Sequence, residues 1–542
     1  MDHEMFARRL REAMAQRGMK QVDVVRAAEE RGQKLGKSQV SQYVSGKVLP
    51  RKDVLELLAD ILGVPAAQLC ADEPDAEADA ASEAAVVAEA PVAATDDAAD
   101  APPGAVAPAE TAGQTEEPSA RTARDHDTNP QHQRSGNMRE FKKSSKLDNV
   151  LYDVRGPVAD EAHRMEEAGT HILKLNIGNP APFGFRTPDE VIYDMRRQLT
   201  EVEGYSDAKG LFSARKAIMQ YAQVKHIPNV SMSDVYTGNG VSELINISLS
   251  ALVDTGDEVL VPSPDYPLWT ACVNLAGGTA VHYICDEEQE WYPDIDDIRS
   301  KVTPRTKAIV IINPNNPTGA LYPKEVLEEI LAVAREHNLL VFSDEIYDRL
   351  VMDGLEHIST ASLAPDLFCI TFSGLSKSHM IAGYRIGWMI LSGDKRGAED
   401  YIEGINMLCN MRMCSNTPAQ SIVQTALGGH QSVKGYVAPG GRVLEQRDYV
   451  YEALNSIPGV SAVKPKAGFY IFPKLDVERF NITDDEQFAL DFLHDKKILV
   501  TQGTGFNWKK PDHFRVVYLP RIEVLQEAME KLADFLSYYR QR

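Results

Sequence analysis

Lys377 closes the run Thr371-Phe-Ser-Gly-Leu-Ser376-Lys377, and Ser-His-Met-Ile-Ala-Gly-Tyr-Arg385 follows. A lysine amine attacks a carbonyl only where its neutral form is accessible, through partial desolvation or nearby positive charge. A positioned amine can also move a proton as a general acid–base. Other residues could complete such chemistry. Ser343-Asp344-Glu-Ile-Tyr347 puts a carboxylate and a phenol behind an apolar run, and Asn313-Pro-Asn-Asn316-Pro-Thr-Gly319 puts amides behind another. Thr237-Gly-Asn-Gly240-Val241-Ser242-Glu243 precedes an apolar helical run. Small residues there let backbone N–H groups approach a phosphate, aided by the helix dipole. Arg385, and Arg515 in His513-Phe-Arg515-Val-Val, supply planar forks for phosphate or carboxylate.

Each feature also has a plainer reading. A lone lysine is usually a solvated charge. Asp344 could cap a helix N-terminus. The Asn313 segment has turn composition. Tyr266, in Pro264-Asp-Tyr266-Pro267, could be a core tyrosine, and Arg515 could form a surface ion pair. The joint presence of these features favours the chemical reading.

Positioning them requires a framework, and the chain carries one. Apolar runs bounded by turn residues recur at Asp257–Pro262, Ala308–Ile312, Leu339–Ser343 and Phe368–Phe372, with helical patterns such as Lys324–His337 between them. This alternation predicts an α/β fold with a mostly parallel sheet covered by helices. Functional residues then collect at the carboxyl ends of strands. Asn313, Asp344 and Lys377 all follow directly on such runs.

The 542 residues fall into three compositional regimes. Residues 1–69 carry helical periodicity. Residues 70–137 are rich in Ala, Asp, Glu and Pro and too poor in apolar groups to offset their ordering entropy, so a disordered linker is expected. Residues 138–542 read as globular. The net charge of −22 is uneven: residues 1–70 hold 12 basic and 9 acidic residues, and 71–120 hold 13 acidic and no basic ones. Nucleic acid is therefore a candidate partner of the head only. The six cysteines form no CxxC pair and no metal-ligand spacing, so reduced thiols in a cytoplasmic protein are expected and no metal is implied. Residues 1–30 lack an apolar signal core, and no run of 18 apolar residues predicts a membrane span.

In this order the motifs over residues 138–542 closely resemble a class I, pyridoxal 5′-phosphate (PLP)-dependent aminotransferase. The resemblance implies the PLP-dependent transferase fold: a large, mixed, mostly parallel sheet domain with a smaller α/β domain. It assigns Lys377 as the catalytic, cofactor-bearing lysine and Asp344 as partner of the ring nitrogen. Asn316 and Tyr347 become donors to the ring oxygen, and Tyr266 the ring-stacking aromatic. Gly240, Val241, Ser242, Ser376 and Arg385 become the phosphate site, and Arg515 the clamp on the substrate carboxylate. Tyr205, in Gly204-Tyr-Ser-Asp-Ala-Lys-Gly210, resembles the tyrosine that reaches the phosphate of a neighbouring subunit, which implies a homodimer. Lys146-Leu-Asp-Asn-Val-Leu-Tyr152 and Leu175-Asn-Ile-Gly178 resemble the bacterial glutamate–pyruvate (alanine) aminotransferase branch. They place Tyr152, Gly178 and Asn316 at a substrate that is an amino acid or 2-oxo acid. Ser373 and Ser378-His-Met depart from the common pattern beside Lys377.

Residues 20–50 resemble the XRE-like helix-turn-helix of phage repressors. Ser38, Gln39, Ser41 and Gln42 would start a recognition helix facing duplex DNA, with Arg51 and Lys52 on phosphates. The stretch Glu30–Gly36 lengthens the usual turn. A small helical bundle for protein contacts is the alternative. For the whole chain, an active aminotransferase with such a head competes with a transcription regulator whose aminotransferase-like domain senses PLP or an amino acid. The intact set of Lys377, Asp344, Arg385 and Arg515 argues for turnover.

Overall fold

A computed structural model describes residues 3–31, 33, 35–45, 48–65, 69, 141–148, 150 and 156–542. The expected linker and Tyr152 lie outside the described residues. The chain divides into two units, Met1–Gln131 and His132–Arg542.

In the first unit, helices span His3–Gln16, Gln21–Glu30, Lys37–Val44 and Lys52–Leu62. Phe6, Leu10 and Met14 recur at helical spacing, and all are buried against Val24, Val40, Tyr43, Leu58 and Ile61. An ion pair of 2.9 Å between Arg31 and Asp60 ties the second helix to the fourth. The second helix ends at Glu30 and the third begins at Lys37, so the lengthened turn is real.

The second unit is built on an eight-stranded sheet. Its strands are β1 Val235–Gly238, β2 Glu258–Ser263, β3 Thr279–Asp286, β4 Tyr292–Pro293, β5 Thr306–Ile312, β6 Leu340–Asp344, β7 Phe368–Gly374 and β8 Gly387–Gly393. Their spatial order is β1-β8-β7-β6-β5-β2-β3-β4. β2 pairs in parallel with β3 and β5, as do β5 with β6 and β6 with β7. β8 runs antiparallel to both β7 and β1. The central strands are near-continuous apolar runs because both faces are covered. Helices Val241–Leu252, Leu268–Ala276 and Glu399–Met411 pack one face, and Phe212–Val224 and Lys324–His337 the other.

A smaller lobe carries its own core, from Val158 through Phe488 to Phe535. Its three-stranded sheet places Phe514–Val517 between Tyr470–Ile471 and Thr501–Gln502, both antiparallel. The two lobes meet at the carboxyl ends of the parallel strands. Register sets Ile312 opposite Asp344 and Asp344 opposite Phe372, so three strand ends lie level. Among the described residues, no helix is long and apolar enough to cross a membrane. The described cysteines, Cys272, Cys285, Cys369, Cys409 and Cys414, are all free thiols.

Candidate active site

The level strand ends open into a cavity of about 560 Å³. Its lining includes Gly178, Val241, Ser242, Tyr266, Asn316, Asp344, Tyr347, Ser376, Lys377, Arg385 and Arg515. Residues from 178 to 515 in the chain thus meet in one space.

Lys377 lies in the single helical turn Leu375–Ser378 that follows β7. Its Nζ donates to the carbonyl oxygen of Gly178 at 2.7 Å. Asp344 ends β6 and is buried. No helix begins after it, so helix capping does not account for it. Its Oδ2 accepts from Trp269 Nε1 at 3.2 Å and its Oδ1 from the Ile346 amide at 3.3 Å. Burial pushes this carboxyl up to about 6, against the hydrogen bonds that lower it.

At the other end, Gly240 precedes helix Val241–Leu252 with φ +85° and ψ 165°, and no side chain caps that helix. A Cβ on Gly240 would collide with the Arg385 guanidinium. Arg385 itself donates to the carbonyls of Ala382 at 2.8 Å and Asn239 at 3.1 Å. The result is a narrow concavity of backbone amides beside a cation.

The opposite wall comes from the small lobe. Arg515 is 2 % exposed, which excludes a surface ion pair. Its Nη1 donates to Asn316 Oδ1 at 2.8 Å and its Nη2 to the Asn176 carbonyl. Its guanidinium is centred 4.3 Å from the Tyr470 ring and 4.5 Å from the Phe506 ring. The Tyr347 and Tyr470 hydroxyls are 2.9 Å apart. Burial raises both phenols, but for Tyr470 the Lys377 and Arg515 cations, with the bond to Tyr347, outweigh it and lower the phenol.

Sequence reasoning missed Tyr470, Trp269 and Asn176. Tyr470 sits in Gly468-Phe-Tyr-Ile, whose aromatic pair signals a core strand rather than a site. Trp269 follows Tyr266 by three residues, a spacing that could have flagged it. Tyr205 is not brought to the cavity: it is 82 % exposed. In the head, Gln39, Ser41, Gln42 and Arg51 are exposed. Gln39 Oε1 also accepts from the Gly36 amide at 3.1 Å, closing its own helix start. The side chains of Ser38 and Lys52 lie outside the described residues.

The chain's relatives agree with this architecture. Residues 170–532 match the family Aminotransferase class I and II, and residues 5–70 match a Helix-turn-helix domain family. The glutamate-pyruvate aminotransferase AlaA of Escherichia coli is 58% identical over 404 residues, which span 74% of this chain and 100% of the relative. The alanine aminotransferase of Mycobacterium tuberculosis is 57% identical over 411 residues, 76% of this chain and 95% of the relative. A crystal structure of an aminotransferase from Escherichia coli superposes with a TM-score of 0.74, at 58% identity, covering 74% of this chain and 100% of that one. The chain therefore belongs to the class I and II aminotransferases, a family that implies PLP and amino-acid and 2-oxo-acid substrates, and it carries a helix-turn-helix domain ahead of that fold.

Proposed function

We propose that the protein transfers an amino group between the alanine/pyruvate and glutamate/2-oxoglutarate pairs by a ping-pong mechanism with PLP. The observation that carries this reading is one cavity holding Lys377, the buried Asp344, the Gly240–Arg385 concavity and the buried Arg515. The residue set fits the cofactor. The Gly240 concavity, which a Cβ would fill, would hold a phosphate, with the backbone amides of Val241 and Ser242, the Arg385 fork and Ser376 as the residues at hand. Asp344 is a buried carboxylate with only neutral donors, a site that a ring cation would complete. Asn316 and Tyr347 reach the same cavity as donors to a ring oxygen, and Tyr266 offers an aromatic face. Bound PLP supplies a carbonyl that captures amines and a ring that withdraws electrons from the substrate Cα.

The chain's own residues then divide the work. Arg515 orients the substrate by its carboxylate, with its plane held between Tyr470 and Phe506. Lys377, held by the Gly178 carbonyl, takes and returns the Cα proton. Gly178 lies against the Tyr470 phenol, where any Cβ would collide, so only glycine lets this segment approach the phenol so closely. The alanine–glutamate choice rests on the relatives, a glutamate-pyruvate aminotransferase and an alanine aminotransferase. The sensor reading is not favoured, since a sensor has no use for the complete set. The test is a coupled assay with alanine and 2-oxoglutarate, repeated with Lys377→Ala. Steady turnover by Lys377→Ala, or much higher kcat/KM for aspartate or aromatic substrates, would refute the assignment.

We further propose a cytoplasmic homodimer in which Tyr205, exposed on its own chain, serves the phosphate site of a second copy. The head is proposed to bind duplex DNA through Ser38, Gln39, Ser41 and Gln42, with Arg51 and Lys52 on phosphates. The helix-turn-helix family match and the exposure of Gln39, Ser41, Gln42 and Arg51 support this. Residues 1–69 alone should bind duplex with an affinity that falls as salt rises; salt-insensitive or absent binding argues for protein contacts instead.

A further inference from the structure

Asp265 is the residue before Tyr266, and it points away from the cavity. It is wholly buried, in the turn that follows β2. Its Oδ1 accepts from Asn507 Nδ2 at 2.6 Å and its Oδ2 from Thr270 Oγ1 at 2.9 Å. Thr270 is in turn 2.8 Å from His282 Nε2 on β3. Asn507 lies in the loop between the small-lobe strands Thr501–Gln502 and Phe514–Val517, and its neighbours Phe506 and Trp508 reach across to pack on the large-lobe core. Two more bonds join the same segments: the Asp265 amide donates to the Phe506 carbonyl at 2.9 Å, and Ser263 Oγ donates to the Asn507 carbonyl at 2.7 Å.

The two ends of this seam face the site. On one side Tyr266 lines the cavity. On the other, Phe506 lies under the Arg515 guanidinium at 4.5 Å. Next to Asn507, Trp508 packs edge-on against Trp291 of the large lobe at 5.2 Å. A buried carboxylate that accepts from both lobes fixes their relative placement more sharply than apolar packing does, because hydrogen bonds are directional and a partner left unpaired is costly.

We propose that Asp265 and Asn507 form a lobe-to-lobe latch, in which both are positioning residues that set the distance between the ring-facing Tyr266 and the carboxylate clamp Phe506–Arg515. The inference rests on the roles of Tyr266 and Arg515 given above. Neither latch residue lines the cavity. Their effect therefore passes through Arg515, and the latch should govern substrate binding more than the proton transfer at Lys377.

The experiment compares wild type, Asn507→Ala, Arg515→Lys and the double variant, each as the PLP-loaded full chain. Asn507→Ala removes the small-lobe donor and leaves Asp265 paired with Thr270. The expected result is a rise in KM for alanine of about tenfold with kcat within about threefold, and a much smaller KM effect of Asn507→Ala in the Arg515→Lys background. A second readout needs no turnover: the tryptophan emission of cofactor-free Asn507→Ala should shift to the red as Trp508 leaves the seam. Equal KM factors in both backgrounds overturn the latch, as does an unshifted emission with unchanged KM. So does a fall in kcat alone. If the wild type itself fails to transaminate alanine, the functional reading is what fails, and the emission shift still decides whether the seam is latched.

Discussion

Arg515→Lys separates a planar fork from a point charge at one buried position. Arg515 already spends one nitrogen on Asn316 Oδ1 at 2.8 Å and another on the Asn176 carbonyl, while its plane lies 4.3 Å from the Tyr470 ring and 4.5 Å from the Phe506 ring. A lysine ammonium keeps the charge, so gross electrostatic attraction for a carboxylate survives. It cannot hold two internal acceptors and also present two parallel donors, and it has no plane to stack between the rings. The loss is about one charge-assisted hydrogen bond in a site only 2 % exposed, about 1.5–3 kcal/mol, or about 10–150-fold in kcat/KM. The carboxylate is gripped both before and during proton transfer, so most of the loss should appear in KM. The assay follows pyruvate release from alanine with 2-oxoglutarate in excess. PLP loading is checked by visible absorbance, which should not change, because the Gly240–Arg385 end lies apart from these contacts. A KM within about twofold of wild type, at unchanged loading, would mean that Arg515 is not the carboxylate clamp.

Three further outcomes are expected. Gly240→Ala must hold φ +85° with ψ 165° and displace the Arg385 guanidinium, so PLP affinity measured by equilibrium dialysis should weaken by about 1–3 kcal/mol; unchanged affinity places the phosphate elsewhere. Asp344 has its carboxyl raised by burial to about 6, so it is neutral below that pH and ionised above it. A cationic ring nitrogen pairs with the ionised form, so PLP affinity of the cofactor-free protein should rise through about pH 6, and Asp344→Asn should flatten that dependence. The sign for stability is opposite: a raised folded-state pKa gives stability present below the unfolded value and lost as pH rises through about 6, so the cofactor-free protein should melt lower over the window in which it binds PLP better. Residues 138–542 expressed alone should fold and transaminate at near full-length rates, since the matched 404 residues span the whole of a relative; an insoluble or inactive fragment would make the head part of the enzyme.

The sheet was legible where local pattern and tertiary burial agree. The apolar runs expected from sequence became β2, β5, β6 and β7, each within two residues of its expected ends, and helix Lys324–His337 has the expected span. β1, β3, β4 and β8 were not singled out. β1 is only Val235–Gly238, and β8 carries Gly387 and Gly393 at its ends and owes its antiparallel course to the connection through Lys377 and Arg385. Asn313, Asp344 and Lys377 were legible because each sits at or just beyond the end of an apolar run, and that adjacency encodes a place at the sheet's carboxyl end. Tyr470 and Asn507 lie in the small lobe, where strands of two residues leave no periodicity to read.

Glu345, one residue beyond Asp344, sharpens the point. Its Oε1 accepts from Ser343 Oγ at 2.9 Å, Ser359 Oγ at 2.9 Å and the Thr360 amide at 3.0 Å, and burial pushes its carboxyl up to about 7. The strand pattern alone does not rank these two neighbouring acids; only the family resemblance singles out Asp344. At a strand end, successive side chains leave on opposite sides, so only one can face the cavity. The β6 register puts Asp344 at the level of Ile312 and Phe372, on the cavity floor, and sends Glu345 into the protein, where hydroxyls and an amide satisfy it. Asp265 and Tyr266, in the turn after β2, are likewise turned apart, one to the seam and the other to the cavity. In both pairs the residue facing inward holds the backbone from which its neighbour works. That division predicts different signatures for the two acids: substitution of Asp344 should change how the cofactor is held at a given pH, whereas Glu345→Gln, which keeps the size and an acceptor oxygen, should change thermal stability first.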